Sequence, residues 1–455
     1  MDTHKMMQEI LDQIAARGAE GEVYLEENTQ SQVQVGQGKV EKLSRSASKG
    51  LGVRAIHQGK MGYSYTSDFS QDEIEKTWMT ALELALVADA DEFRSLPALE
   101  TSPGDSRIHE DDLDIFDPQV ADLTMEQRVQ FALEVEKAAL EYDPRIIATT
   151  MCTYLDIIVK VTLANTNGFR GSYSKTATVG YLFAVARQAE ETTLGIGAGG
   201  GVHLTDLKPA EIGREAAEKA VRQLGGKPVP TQQATVVFDP FITAELIYYL
   251  SEALSGEAMQ RKRSFLAGKL GQAVAADNVT LLDNGRLPGG LGSAPFDGEG
   301  VPTRATRLLD EGILQAMIYD TYTARRDGQQ STGNSQRESH RRPPSLGVNN
   351  FYLQPGNQTP EEIIAGVENG FYVLNTMNVG GINVVSGDYS VGASGLWIEN
   401  GKLTNPVNQV TIALPLDKLL TQIQAVGSDL RFSPMFGNIG APTIRIDGVT
   451  IGGAK

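Results

Sequence analysis

Gly225–Gln233, GGKPVPTQQ, is the stretch on which the reading of this chain turns. It holds glycine and proline and lacks any apolar period, which marks a linker. Just before it, KPAEIGREAAEKAVRQLGG has helical apolar spacing and a glycine stop signal. Just after it, ATVVFDP (Ala234–Pro240) is a strand-like apolar run. The sequence therefore divides into residues 1–226 and 232–455. It predicts an α+β fold of two domains. The first is an N-terminal α/β domain with antiparallel hairpins, and the second is a C-terminal, mainly antiparallel β domain with flanking helices.

Upstream of the linker, Met6, Met7, Ile10, Leu11 and Ile14 recur at helical spacing. Two hairpins follow. Val33 and Val35 lead through Gly36–Gly38 to Val40, and Leu51, Val53 and Ala55 lead into the turn His57–Lys60. Ser70 and Glu73, and again Thr124 and Gln127, have capping-box spacing ahead of apolar helices. LDIIVKVTLANTNGF and YSKTATVGYLFAVARQ read as long strands joined at Asn167-Gly168. Downstream, one helix is expected over about Ile242–Lys269, with shorter ones in TPEEIIAGVENG and PLDKLLTQIQAV. Hairpins are expected around Glu311-Gly312 and Asn400-Gly401.

The chain has 455 residues and a net charge of −17. That field repels a phosphate backbone. The basic spots Arg261–Arg263, Ala324–Arg326 and His340–Pro344 are short and lack interleaved aromatics, so direct nucleic-acid binding is not expected. No apolar run reaches the roughly 20 residues of a membrane-spanning helix. The N-terminus lacks secretory features. One cysteine, Cys152, excludes an intramolecular disulfide and a Cys-rich zinc site. A cytoplasmic protein is expected.

Few residues look like chemistry. GIGAGGG (Gly195–Gly201) resembles a phosphate loop, but VHLTDL separates it from the next helix, which favours a β connection. The histidines His4, His57, His109, His203 and His340 have no ligand spacing. Asp297 and Glu299 could exchange protons only if both faced one pocket; in a Gly-rich turn such carboxylates more often cap backbone amides. Ala324–Asn350 has almost no apolar content and is long for a loop, so it reads as a mobile wall or a solvated loop. Arg325, Arg326, Asn334, Arg337 and Arg342 are its candidates for holding peptide.

In Tyr248–Gln260, YYLSEALSGEAMQ, Glu252 stands where a His-Glu metallopeptidase helix keeps its base. SEALSGEAMQRKRSFLAGKLGQAV, PFDGEGVPTRAT, YDTYTARRDGQQSTGN, GDYSVGASGLWIENGKLTNPV and IGAPTIRIDGVTIGG together resemble the PmbA/TldE branch of the TldD/PmbA family, also labelled "modulator of DNA gyrase". EVYLEENTQSQVQVGQGKVEKLSRSASKGLGVRAIHQGKMGYSYTSD is similar to that family's opening domain. The resemblance implies a cytoplasmic peptidase assembled from two related chains. TldD-type chains carry a His-Glu-x-x-x-His helix and a further cysteine ligand near the C-terminus. Those positions fall here on Ser251, Glu252 and Gly256, and the C-terminal stretch offers Met435 and Asn438 instead of cysteine. A lone carboxylate does not make a zinc site, which needs about three ligands. The resemblance thus implies a subunit with no catalytic or metal ligand of its own. Its expected partners are a zinc-bearing TldD-type subunit and unfolded peptide, with a homodimer when alone. A homo-oligomeric peptide-binding scaffold without a peptidase role is the alternative. Nothing in the residues points to gyrase.

Overall fold

The computed structural model describes residues 2–98, 110–377 and 379–453. Six strands form the N-terminal sheet: β1 (Glu20–Gly36), β2 (Lys39–His57), β3 (Lys60–Thr66), β4 (Ile146–Asn165), β5 (Arg170–Gln188) and β6 (Glu191–Gly201). Their order is β3-β2-β1-β4-β5-β6, and every pairing is antiparallel. The expected tight turns are present. Gln37 and Gly38 have φ of 54° and 70°, and Gln58 and Gly59 have φ of 51° and 75°, the left-handed pair that suits the twist of a two-residue hairpin.

Four helices, α1 (Thr3–Ala15), α2 (Gln71–Val87), α3 (Met125–Leu140) and α4 (Pro209–Arg222), cover one face of this sheet. Strand alternation explains which face. Val23, Leu25, Val33 and Val35 of β1 all point the same way and are buried. The stripes Met6, Ile10 and Ile14 of α1 and Ile74, Trp78 and Leu82 of α2 meet Val23 and Leu25, while α3 and α4 cover Val33 and Val35. Thr124 and Gln127 form both halves of the capping box on α3. Ser70 differs: it sits at the N-cap of α2, yet its hydroxyl caps nothing. Its N–H instead donates to Asp68 Oδ1 at 2.8 Å, so the approach to the helix is fixed one step earlier.

GIGAGGG lies within strand β6 and packs against α4 rather than opening a helix. A Cβ on Gly195 would lie 2.1 Å from the Ala216 carbonyl, and one on Gly197 2.1 Å from that of Ile212. The glycines let α4 lie directly on the strand.

Beyond the linker, β7 (Gln232–Phe238), β8 (Asn369–Met377), β9 (Asp388–Glu399), β10 (Lys402–Ala413) and β11 (Ile444–Gly452) pair in the order β8-β7-β11-β10-β9, and β9 pairs back to β8. The five strands close a ring, with only β7–β8 parallel. Closure removes free edges. The positive φ values at Glu311-Gly312 and Asn400-Gly401 form the two expected turns. A second sheet of short strands, including Leu281–Asn284, Ala305–Asp310 and Phe351–Leu353, packs on the same core.

The long helix expected over Ile242–Lys269 is not continuous. α5 runs from Pro240 to Ala253, and a short α6 runs from Gly256 to Gln260. The break has a local cause. The Ser255 hydroxyl accepts from Ala258 N, starting a new helix, while Gly256 N donates to the Ile318 carbonyl at 2.9 Å. A strand-like bridge to Ile318 thus outcompetes the next helical turn. Among the described residues no helix is long and apolar enough to cross a membrane.

Candidate functional site

Asp239 fixes the start of α5. Its carboxylate accepts from Phe241 N at 2.9 Å and from Lys219 Nζ at 3.2 Å. Ser251 and Glu252 lie on the last turn, and Gly256 opens α6 on the far side of the break. Ser251 Oγ donates to its own helix, to the Tyr248 carbonyl at 2.6 Å. Glu252 is exposed, and its carboxylate takes no hydrogen bond or ion pair from the described residues. A Cβ on Gly256 would stand 2.5 Å from the Tyr319 ring. Tyr319 is itself held by a bond from its hydroxyl to Asp327 Oδ2 at 2.9 Å. The space that a side chain at 256 would need is filled.

These positions do not fit zinc. One has no side chain, one has its hydroxyl turned into the helix, and the third is a single carboxylate. Among the described residues no group of three or more His, Cys, Asp or Glu side chains could hold a metal ion. Met435 lies in the short turn Pro434–Phe436, and Asn438 uses its carbonyl to accept from Phe351 N at 3.0 Å.

What this side of α5 presents is aromatic. The Phe436 ring lies 5.0 Å from Phe241 and 5.9 Å from Tyr248, centre to centre, and Tyr248 is 48% exposed. Phe241 also lines a cleft with Ile196 and Ala198 of β6, together with Arg431 and Phe432. Ile196 and Ala198 belong to the sheet face opposite the four helices. On that face Leu155, Val179, Tyr181, Phe183 and Val185 are only half-buried, and Leu194 is exposed. An apolar sheet surface thus runs from the cleft beneath the aromatic row, an arrangement suited to chain segments with apolar side chains. Glu245, one turn earlier on α5, is buried; burial raises its carboxyl above the usual range against the Thr376 hydroxyl bonded to it at 2.6 Å. Neither Glu245 nor the open face was singled out from sequence. Alternation in YSKTATVGYLFAVARQ was the available signal, because both of its faces are apolar.

Ala324–Asn350 is not a mobile loop. Asn334, Ser335, His340, Asn349 and Asn350 are buried. Arg325 donates to the carbonyls of Ser95 and Leu96, each at 2.7 Å. Asn334 Nδ2 donates to Asp283 Oδ2 at 2.6 Å. Arg337 bonds Glu22, donates to the Gly298 carbonyl at 2.8 Å and lies 4.6 Å from the Tyr24 ring centre. Arg326 lies over Tyr322, and Arg342 pairs with Glu338 at 3.2 Å. Of the five candidate residues, Arg326 and Arg342 alone are exposed. The segment packs because buried carboxylates distant in sequence satisfy its polar groups, which leaves no local signature.

Asp297 and Glu299 belong to the same seam between the sheet and the C-terminal part. Glu299 accepts from Arg54 Nη1 at 2.8 Å and Thr321 N at 3.0 Å; burial opposes its charge, yet Arg54 holds its carboxyl below the ordinary value. Asp297 accepts three backbone N–H groups, from Glu299, Val301 and Ser335. Burial and the neighbouring Glu299 charge nevertheless push it upward. The pair faces protein on every side and caps amides.

The remaining sequence candidates are apart from one another. His203 contacts Asp114 at 3.0 Å, His57 the Gly18 carbonyl at 3.2 Å and His340 Ser67 at 3.3 Å. His4 is exposed on α1, and His109 lies outside the described residues. Cys152 is buried, and desolvation pushes its thiol up to about 12.

Three domain models of one family match the chain in order. PmbA/TldA metallopeptidase domain 1 matches residues 21–85, the central domain 118–224 and the C-terminal domain 231–453. Metalloprotease PmbA of Escherichia coli O157:H7 is 28% identical, covering 94% of this chain and 92% of its own length. A metalloprotease TldD homolog of Haemophilus influenzae is 23% identical, covering 90% and 87%. Among solved structures, a candidate modulator of DNA gyrase from Bacteroides thetaiotaomicron is 27% identical with a TM-score of 0.87 over the whole of both chains. TldE from Thermococcus kodakarensis is 22% identical with a TM-score of 0.85, covering 98% and 100%.

Proposed function

The chain belongs to the PmbA/TldD metallopeptidase family, and we propose that it acts there as the peptide-binding subunit that holds no metal. A TldD-type partner would carry zinc and cleave. This chain would contribute the aromatic side of α5 and the open face of the sheet as walls for unfolded peptide, in the cytoplasm. Neither wall needs a defined sequence, because apolar contact and main-chain bonding tolerate many side chains.

One observation carries this reading: the ring of Tyr319 stands where a side chain at Gly256 would be, 2.5 Å from the Cβ position. A ligand lost by simple substitution would leave room for its return; here the room is occupied. The test is metal content and peptidase activity of the purified chain, alone and mixed with a TldD-type chain. Zinc-free protein, inactive alone and binding peptide in the mixture, is expected. One tightly held zinc per isolated chain, or chelator-resistant cleavage by it, would overturn the proposal.

A scaffold that binds peptide without any peptidase is the second reading, supported by the same half-exposed face of Val179, Phe183 and Val185. It predicts peptide binding that is indifferent to a TldD-type chain.

A further inference from the structure

Among the described residues no strand pairs with the outer edge of β2 over most of its length. β3 pairs only with Leu51–His57, and every residue from Lys39 to Lys49 is exposed. Sheets usually keep such edges short, covered or sharply bent, since unpaired N–H and C=O groups recruit another strand.

A bulge shapes this edge. Gln34 pairs with Lys42 and Val35 with Val40, so Glu41 is the extra residue. The slip brings Val40 and Leu43 to the face shared with Val33 and Val35. Helix α3 and its neighbours bury Val33 and Val35. Val40 and Leu43 continue that apolar surface uncovered, at 44% and 48% exposure. Lysines alone would read as guards against pairing; two large apolar side chains beside them work against guarding.

Charge says what would fit. Lys39, Lys42, Arg45 and Lys49 against Glu41 give the strip +3 in a chain of −17. Lys49 pairs with Glu27 at 3.2 Å, while Lys39, Lys42 and Arg45 make no ion pair with the described residues. Two copies joined edge to edge would bring like strips together, which disfavours a second copy.

We propose that this edge docks an extended, acid-rich segment of a peptide as a seventh strand of the sheet. Its main chain would pair with β2, alternate carboxylates would reach Lys39 and Lys42 on one face, and the intervening apolar side chains would cover Val40 and Leu43 on the other, where Arg45 adds a cation at the end of the apolar strip. The proposal rests on the peptide-binding reading but uses the sheet edge opposite β6 and the cleft.

The probe is a fluorescein-labelled decapeptide alternating Glu with Val or Thr, titrated into the full chain by anisotropy. Controls are the same peptide with Lys for Glu and with N-methylated alternate amides. Saturable binding that weakens with salt is expected, at least tenfold tighter than for either control, with slowed amide exchange over Val40–Ser48. Lys39→Glu/Lys42→Glu/Arg45→Glu, all exposed, should lose at least tenfold for the Glu peptide and gain for the Lys peptide. Equal binding of Glu and Lys peptides, or no loss on N-methylation, would overturn the proposal. So would self-association abolished by the triple variant, which would place a second copy on the edge. Zinc content and activity with a TldD-type chain are separate readouts, so failure here is distinguishable from failure of the subunit reading.

Discussion

Replacing Arg337 with alanine separates two roles for the arginine-rich segment. If Arg337 contacted peptide, the variant would fold normally and bind substrate poorly. The geometry instead makes it a clasp between the two parts of the chain. Glu22, whose side chain is fully buried, is bonded by Arg337 and by Arg54 Nη2 at 2.7 Å. Removing one partner from a buried pair leaves an uncompensated charge and costs roughly 3–5 kcal/mol. Arg54 still faces Glu22, which argues for the lower end of that range. The stacking of the guanidinium on Tyr24 adds on the order of 1 kcal/mol. Against a total stability of about 5–15 kcal/mol, this is a large fraction. Urea unfolding can read it in each part, because Trp78 lies on α2 and Trp397 on β9. Single-tryptophan backgrounds would report the two halves separately. Arg342→Ala, which breaks an exposed pair, should change stability by at most about 0.5 kcal/mol. The double variant Glu22→Gln/Arg337→Met should cost less than Arg337→Ala alone, since both charges leave together. If Arg337→Ala unfolds within about 1 kcal/mol of Arg342→Ala, the clasp reasoning is wrong.

Three further outcomes are expected. Ser251→His/Gly256→His should not acquire stoichiometric zinc by elemental analysis, because the two positions flank a helix break and Tyr319 blocks the second; one zinc per chain would contradict the geometry. Lys175 is half-buried with two carbonyl acceptors, Leu291 at 2.8 Å and Ser293 at 3.1 Å, and desolvation lowers its pKa to about 8. The folded state therefore sheds this proton before the unfolded state does, so stability should rise between pH 8 and about 10.5, by on the order of 3 kcal/mol, and Lys175→Met should flatten that slope in urea titrations at several pH values. Tyr248→Ala, at an exposed position, should leave the unfolding midpoint unchanged and weaken binding of an unfolded, aromatic-rich peptide several-fold by anisotropy; unchanged affinity would remove the aromatic row from the peptide wall.

The sequence carried the local chemistry well. Hairpins at Gly38, Gly59, Gly312 and Gly401 follow from residues that tolerate positive φ. The α3 capping box follows from Thr124 and Gln127 at fixed spacing. What sequence could not carry was competition from distant partners. The helix through Glu252 has continuous helical spacing, yet Ile318 captures the Gly256 amide and ends it. The polar segment through Arg337 looks solvated because its partners, Glu22 and Asp283, are hundreds or dozens of residues away. The ring is equally non-local where β7 pairs with β8 and β11, both far along the chain.

The break in α5 bears on how this chain would divide work with a partner. Were Ser251 and Gly256 on one uninterrupted helix, they would keep a regular spacing, five residues and about 140° apart around its axis. Instead the turn between them is rewired to Ile318, and the vacated volume holds a tyrosine tied to Asp327. Restoring a metal would demand repacking of Tyr319 and loss of the Ser255 cap together with the two ligands. The backbone, and not only the side chains, thus differs from what ligands at positions 251 and 256 would need. The groups on this side of α5 are the exposed Tyr248 and the half-buried Phe436, beside the cleft that Phe241 shares with β6. On the proposed reading those groups would bind peptide by surface contact. A subunit built this way can raise the local concentration and order of a peptide without touching the scissile bond, so its loss should show in the KM of the assembly before it shows in kcat.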